Sequence, residues 1–297
     1  MAPLSLFAPA KINLFLAITG RRPDGFHDLI SLVVPLQWGD TLILEPRAGA
    51  GADTLACDYP GVPVDASNLV LKAAAAFRQR AARAEIPPMH FLLRKAVPAG
   101  AGLGGGSSDA AAALLGMNQL AAHPLRPAEL RACAAGVGSD VALFIEQAPL
   151  VMRGRGEQIE LLPAAARAVL ANRELLVFKP PFGIATAWAY ARLRERGADW
   201  YVPADAAEKQ LAAWLAAPRW ATLPLENNLE FPAFEKYAAL PVLLRELRDR
   251  FNLRCRMSGS GSACFALLEA GSPREKIAQA IREAWGPEAV IQLTRTA

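Results

Sequence analysis

The segment Pro98-Ala99-Gly100-Ala101-Gly102-Leu103-Gly104-Gly105-Gly106-Ser107-Ser108 constrains this chain more than any other. Five glycines fall within the seven residues 100–106. Such a backbone takes left-handed turns easily and lets a ligand come close to its amides. Upstream, Met89–Lys95 reads as a strand. Downstream, Ser107-Ser108-Asp109 begins an Ala- and Leu-rich helix to about Ala121. A helix start presents unpaired N–H groups and the positive end of the helix dipole. Strand, glycine loop and helix together make an anion site shaped for a di- or triphosphate, with the Ser107 and Ser108 hydroxyls as further donors. Asp109, in the first turn, is placed for a cap or as a metal's neighbour. The bland alternative is a flexible loop ahead of a helix cap.

Gly100, Gly102 and Gly105 satisfy G-x-G-x-x-G, which is a weak signal alone. A dinucleotide fold needs a second strand ending in an acid about 20 residues on. Residues 120–130 supply only Glu129, inside a helical stretch. A Walker loop would end in Gly-Lys-Ser/Thr, and none is present. The His-Arg-Asp and Asp-Phe-Gly motifs of protein kinases are missing too.

At 297 residues the chain suits two domains. With 53% hydrophobic and 20% charged residues it can bury a sizeable core. A net charge of +4 suits anionic small molecules. No dense Lys/Arg block interleaved with aromatics occurs, which argues against nucleic acid. Cys57, Cys133, Cys255 and Cys264 form no CxxC pair, so they read as buried thiols of a reducing compartment, not a disulfide framework or zinc site. Lys11 and Asn13 interrupt the apolar N-terminus, which reads as strand and not signal peptide. No apolar stretch is long and clean enough for a membrane span. The expectation is a soluble, cytoplasmic protein.

Along the chain, β-rich runs over 4–19 and 29–45 flank the turn-rich Gly20–Gly25. Ser67-Asn68 caps a helix to about Ala84. Pro127–Ala135 is a short helix, and a turn over Gly136–Ser139 leads to Val141–Ile145. The character changes near 150–165. A strand at Leu175–Phe178 precedes helices at about 186–196, 206–216 and 234–251. Strands at Arg254–Met257, Cys264–Leu268 and Ala289–Thr294 flank a helix over Pro273–Trp285.

The glycine segment resembles the second motif of the GHMP kinases, P-x-x-x-G-L-G-S/G-S-S. Two further motifs of that family follow in order. The first is Pro9-Ala10-Lys11-Ile12-Asn13-Leu14-Phe15-Leu16. The third is Met257-Ser258-Gly259-Ser260-Gly261-Ser262-Ala263-Cys264. The resemblance therefore covers essentially the whole chain. It is nearest the branch acting on diphosphocytidyl-methylerythritol, through Gly20–His27, Gly138-Ser139-Asp140-Val141-Ala142, Gly154–Glu157 and Asn227-Asn228-Leu229-Glu230. Ser139, Ala142, Asn228 and Lys179–Phe182 depart from the branch pattern.

The resemblance implies a two-domain α+β fold. Its N-terminal part is like domain 2 of ribosomal protein S5 and covers 1–155, for ATP and catalysis. Its C-terminal part is ferredoxin-like and covers 156–297, for substrate. The implied reaction passes phosphate from ATP, with Mg²⁺, to a small-molecule hydroxyl. Asp140 matches the family's catalytic aspartate and reads as general base; by itself it would read as an Asx-turn aspartate. Lys11, flanked by apolar residues in a strand, needs a partner and reads as stabilising developing charge. Asn13 shares its strand face and reads as a donor to the sugar-alcohol hydroxyls. Phe26 and His27 suit stacking on cytosine and bonding its polar edge. Tyr190, after Thr186, aligns with a second stacking aromatic, and Gly259 and Ser260 lie toward substrate. Pro98–Ser108 holds ATP, and Mg²⁺ arrives with the phosphates, Ser108 being the one protein oxygen readable for it. Two other readings stay open: another GHMP kinase, acting on homoserine or mevalonate, or an inactive ligand-binding regulator on the same fold.

Overall fold

Two long strands joined by the loop at Arg22–Phe26 organise the chain. They are β1 (Leu4–Arg21) and β2 (His27–Pro46). The computed structural model describes residues 2–81 and 85–297. After the hairpin come β3 (Thr54–Cys57), α1 (Leu69–Arg80), β4 (Met89–Arg94), α2 (Gly105–Leu120), α3 (Pro127–Val137) and α4 (Val141–Glu146). Then follow β5 (Leu150–Arg153), β6 (Gln158–Leu161), α5 (Ala164–Leu170), β7 (Glu174–Lys179), α6 (Thr186–Arg196), a 3-10 turn (Gly197–Trp200) and α7 (Ala204–Ala216). The chain ends with β8 (Glu226–Asn227), α8 (Glu230–Lys236), α9 (Ala239–Phe251), β9 (Arg254–Met257), β10 (Cys264–Leu267), α10 (Arg274–Trp285) and β11 (Val290–Arg295).

The chain divides into two compact units that are interleaved in sequence, because each takes half of the hairpin. The first comprises Met1–Ala10, Trp38–Ala99 and Gly104–Gln147. The second comprises Lys11–Gln37, Gly100–Leu103 and Ala148–Ala297.

In the first unit the second half of β2 pairs antiparallel with β4, from Thr41↔Arg94 to Pro46↔Met89. β3 adds to β4 in parallel. Asn68 caps α1 by accepting a bond from the Val70 amide at 2.9 Å. The expected end of this helix at about Ala84 lies outside the described residues. α1 buries Val70, Ala73, Ala74 and Phe77 and packs on α2. α2 can sit close to the strands because position 116 has no side chain. A Cβ there would come within 2.5 Å of Leu6 and 2.6 Å of Leu44. α2 starts at Gly105, two residues before the expected Ser107, because Gly104 at φ 72 turns the chain directly into the helix. Val141–Ile145 lies within the helix α4.

In the second unit β5 pairs with β2 and β6, and β8 lies parallel to β1 at Phe15↔Glu226 and Leu16↔Asn227. A separate antiparallel sheet runs in the order β11-β7-β10-β9. Its core includes Leu176, Phe178, Cys255, Cys264 and Ala266 against Leu243, Leu247, Ile277 and Ile281 of the helices. Alternating inward positions on strands and an i, i+4 stripe on α9 and α10 create that seam. The single helix expected over 234–251 is two, α8 and α9. Pro241 explains the break. Inside a continuous helix its ring would clash with the Tyr237 carbonyl, whereas in the first turn of α9 proline is tolerated. Asn228, a departure from the branch pattern, accepts from the Ile18 amide (2.8 Å) and donates to the Ile18 and Trp200 carbonyls (both 2.8 Å). An ionised aspartate would lose both donor bonds. Cys133, Cys255 and Cys264 are buried free thiols and Cys57 is half-buried. Among the described residues no helix is long and apolar enough to cross a membrane.

Glu230 opens α8 and fixes the end of β9: its Oε1 accepts from the Met257 amide at 2.8 Å. Burial lifts its carboxyl to about 7; Arg256 and Arg248 and the Met257 bond oppose the rise, and Glu226 adds to it. A carboxyl raised above its unfolded value of 4.5 favours folding while neutral. Its contribution is therefore full below about 4.5 and is lost as pH rises through about 7. Glu230→Gln keeps the acceptor and removes the titration. Urea unfolding at pH 5 and pH 7.5 should show wild type losing stability relative to Glu230→Gln across that window, by at most about 3 kcal/mol. Parallel pH profiles for the two proteins would disprove the assignment.

Candidate active site

The three separated motifs of the sequence meet at Gly102. Lys11, on β1, is buried, and its Nζ donates to Asn13 Oδ1 at 2.6 Å and to the Gly102 carbonyl at 2.9 Å. The same carbonyl accepts from Ser258 Oγ at 3.1 Å. The two-residue strand period puts Lys11 and Asn13 on one face, and there they meet. Asn13 donates in turn to Ser31 Oγ at 2.8 Å, and Ser31 donates to the Phe15 carbonyl at 2.8 Å. This chain of bonds fixes the amide so that its oxygen faces the lysine.

Close packing here depends on glycine at two positions. Gly102 has φ 77, and a Cβ on it would lie 2.3 Å from the Ser258 carbonyl oxygen. Gly259 has φ 57, and a Cβ would lie 3.3 Å from Lys11 Nζ and 3.2 Å from the Gly102 carbonyl. Any side chain would push the third motif off the second. The Ala263 amide donates to the Ala101 carbonyl at 3.0 Å, which adds a backbone link. Asn227 braces the arrangement from behind, giving both amide hydrogens to the Met257 (2.7 Å) and Gly259 (2.9 Å) carbonyls. Ser260 Oγ lies 2.8 Å from Thr186 Oγ1 at the start of α6. The sequence singled out Ser260 and Thr186 separately; the fold pairs them.

A second cluster surrounds His27, the first residue of β2. Its ring sits 5.0 Å from Tyr190 and 5.9 Å from Tyr201, centroid to centroid. Burial, then Arg194 and Arg21, pushes the imidazole below its usual value. His27 is thus neutral near pH 7, with one ring donor and one acceptor. Its Nε2 and the Tyr201 hydroxyl are buried without a hydrogen-bond partner. Phe26 is exposed, and the Arg155 guanidinium lies 4.9 Å from its ring centre. Asp24 shapes this loop by accepting from the Phe26 amide at 3.1 Å. Tyr201 was not legible as a neighbour of His27, because only the fold brings the stretch after α6 back to β2.

The first unit carries the rest. Asp140 precedes α4 at φ −85 and ψ −7, and its side chain makes no capping bond to that helix. Pro98, Ala99, Gly105, Gly106 and Ser107 flank the turn at Gly100–Gly104, where φ is 63, 77 and 72 at positions 100, 102 and 104. Ser108 Oγ is buried and has no partner, so a hydroxyl oxygen is left over for a hard cation. Asp109 is neither cap nor isolated. Its Oδ2 accepts from Lys95 Nζ at 2.9 Å, and Lys95 also pairs with Asp40 Oδ2. Burial raises the Asp109 carboxyl to about 7, with Lys95 opposing and Asp40 adding to the rise. Asp40 and Lys95 carry no local signature: one stands inside a long strand, the other follows an arginine at a strand end.

Comparison with known proteins shows the family to which the chain is similar. The N-terminal GHMP kinase domain model matches residues 68–147 and the C-terminal one matches 208–287. A 4-diphosphocytidyl-2-C-methyl-D-erythritol kinase of Synechococcus sp. (strain CC9311) is 39% identical, over 96% of this chain and 95% of its own length. The protein of the same name from Mesorhizobium japonicum is 36% identical over 97% of this chain and 94% of its own. Among solved structures, a 4-(cytidine 5'-diphospho)-2C-methyl-D-erythritol kinase superposes with TM-score 0.77 at 32% identity, covering 99% of this chain and 100% of the other. Homoserine kinase from Cytophaga hutchinsonii superposes with TM-score 0.75 at 17% identity, covering 100% and 95%, and shares the fold. With two family models covering more than half its length and full-length relatives above 30% identity, the chain belongs to the GHMP kinase family.

Proposed function

We propose that this chain transfers the γ-phosphate of ATP to the 2-hydroxyl of 4-diphosphocytidyl-2-C-methyl-D-erythritol, giving the 2-phosphate and ADP, in the non-mevalonate route to isoprenoid precursors. The observation that carries this reading is the convergence of Lys11, Gly102 and Ser258–Gly259, three motifs far apart in sequence. Relatives of the same length that bear this activity in their names add to it.

Phosphoryl transfer asks the protein for positioning and charge neutralisation more than for covalent chemistry. Residues 1–155 carry the ATP-binding and catalytic part in this reading, and 156–297 carry most of the substrate contacts. The amides of Gly100–Gly106 and the first turn of α2 receive the phosphates, framed by Pro98, Ala99, Ser107 and Ser108. Neutralising the phosphate oxygens is what Mg²⁺ supplies when bound, and Ser108 Oγ is the protein oxygen suited to hold it. The substrate hydroxyl oxygen attacks the γ-phosphorus and forms the new P–O bond. The bond to the β,γ-bridging oxygen breaks, and ADP leaves with that electron pair. Asp140 takes the hydroxyl proton. Lys11, held by Asn13, stabilises charge as it develops on the transferring group. At the other end of the substrate, Phe26 and Tyr190 offer flat faces to the cytosine and neutral His27 offers its ring nitrogens to the base edge. Thr186, Gly259 and Ser260 line the path toward the diphosphate.

A coupled assay of ADP release with the cytidyl substrate tests the whole reading, and absence of turnover alongside tight substrate binding would favour an inactive regulator. Asp140→Asn should lower kcat by roughly 10²–10⁴ while nucleotide affinity, read by calorimetry, stays near wild type. A parallel collapse of ATP binding would count against the base assignment. His27→Ala should raise KM for the cytidyl substrate about tenfold and leave KM for ATP within about twofold. Equal shifts in both would remove His27 from base recognition.

A further inference from the structure

We propose that Asp40, Lys95 and Asp109 are positioning residues that clamp both ends of the glycine-rich loop and so set its amides for the nucleotide phosphates. This rests on the reading of that loop as the phosphate cradle. Asp40 stands in β2, outside the loop. Its Oδ1 accepts from the Ala96 amide at 2.6 Å and from the Val97 amide at 2.8 Å, the two residues that lead into Pro98. Its other oxygen pairs with Lys95 Nζ. The same amine reaches Asp109 Oδ2 at 2.9 Å, on α2, where the chain leaves the loop. One ammonium thus joins the incoming stem to the outgoing helix across fourteen residues of sequence. Gly105 is packed against this link: a Cβ there would lie 3.2 Å from Lys95 Nζ and 3.3 Å from Asp40 Oδ2.

The physical need is plain. A stretch with five glycines among residues 100–106 keeps more backbone freedom than any other kind of chain, so nothing in its own sequence holds its amides convergent. The three side chains are 4%, 0% and 3% exposed for Lys95, Asp40 and Asp109. Ion pairs so removed from water are directional and hold strongly when satisfied. Asp109 Oδ1 remains without a partner beside the equally unpartnered Ser108 Oγ. A triad serving stability alone would leave ligand preference untouched when weakened. A clamp on the loop would not.

Two measurements separate these outcomes. Asp109→Asn keeps the shape and leaves the Lys95–Asp40 pair intact; Lys95→Met removes the bridge altogether. Hydrogen–deuterium exchange of the ligand-free protein should show faster exchange over residues 96–108 in Asp109→Asn, with β7 unchanged. Titration with a fluorescent ADP analogue and Mg²⁺ should show affinity weakened about tenfold, while affinity for the cytidyl substrate stays within about twofold. Unchanged loop exchange in Asp109→Asn overturns the clamp, as does equal weakening of ADP and cytidyl binding. If Lys95→Met folds and binds ADP like wild type, the clamp is likewise overturned. Failure of the unaltered protein to bind the ADP analogue would instead remove the phosphate-cradle reading itself, and loop exchange would still report on the clamp.

Discussion

A buried ammonium must be met by oxygen, and much of the second unit is arranged around meeting one. Leaving Lys11 unsolvated in the interior would cost several kcal/mol. The protein meets it with the Asn13 side-chain oxygen and the Gly102 carbonyl. That carbonyl is available only because the glycine loop turns back on itself at a left-handed residue. Ser258 shares it, which draws the third motif to the same point. Asn227 then holds the far side of that motif through two carbonyls. Each bond is ordinary in strength. Together they make the position of the amine depend on three distant stretches at once.

Side chains with both a donor and an acceptor recur wherever backbone has to be gripped without adding charge. Asn13 accepts from Lys11 and donates to Ser31. Asn227 donates to two carbonyls and accepts from Leu229. Asn228 grips both polar groups of Ile18. Carboxylates are used differently. Glu230 and Asp40 accept from main-chain amides, and in both cases burial or pairing sets the strength of the grip. The aromatic cluster follows a third logic: burial and nearby arginines keep His27 neutral, which leaves its ring one donor and one acceptor.

The elements were largely legible along the chain. β-rich runs marked β1, β2, β4 and β7, and helical stretches were expected over 234–251 and Pro273–Trp285, because local composition carries these preferences. The motifs around Gly102 and Gly259 were legible through glycine, since left-handed turns and close backbone approach admit little else. Short elements escaped. β3, β5, β6 and β8 span two to four residues and show no period, although β9 and β10, also four residues long, were expected where they lie. The break at Tyr237–Ala238 hung on Pro241, whose effect depends on which turn of a helix it occupies.

By itself the sequence determined the family motifs, the residue types at Lys11, Asn13, His27 and Asp140, and the strand-loop-helix order around residues 98–108. Tertiary structure alone decided the partners. Asp40 and Lys95 are 55 residues apart, Asn13 and Ser258 are 245 apart, and Tyr201 meets His27 only in three dimensions. The reason is physical. Local sequence governs backbone preference and periodicity over a few residues. Which polar groups end up facing one another is settled by how whole elements pack, and burial then makes those pairings obligatory.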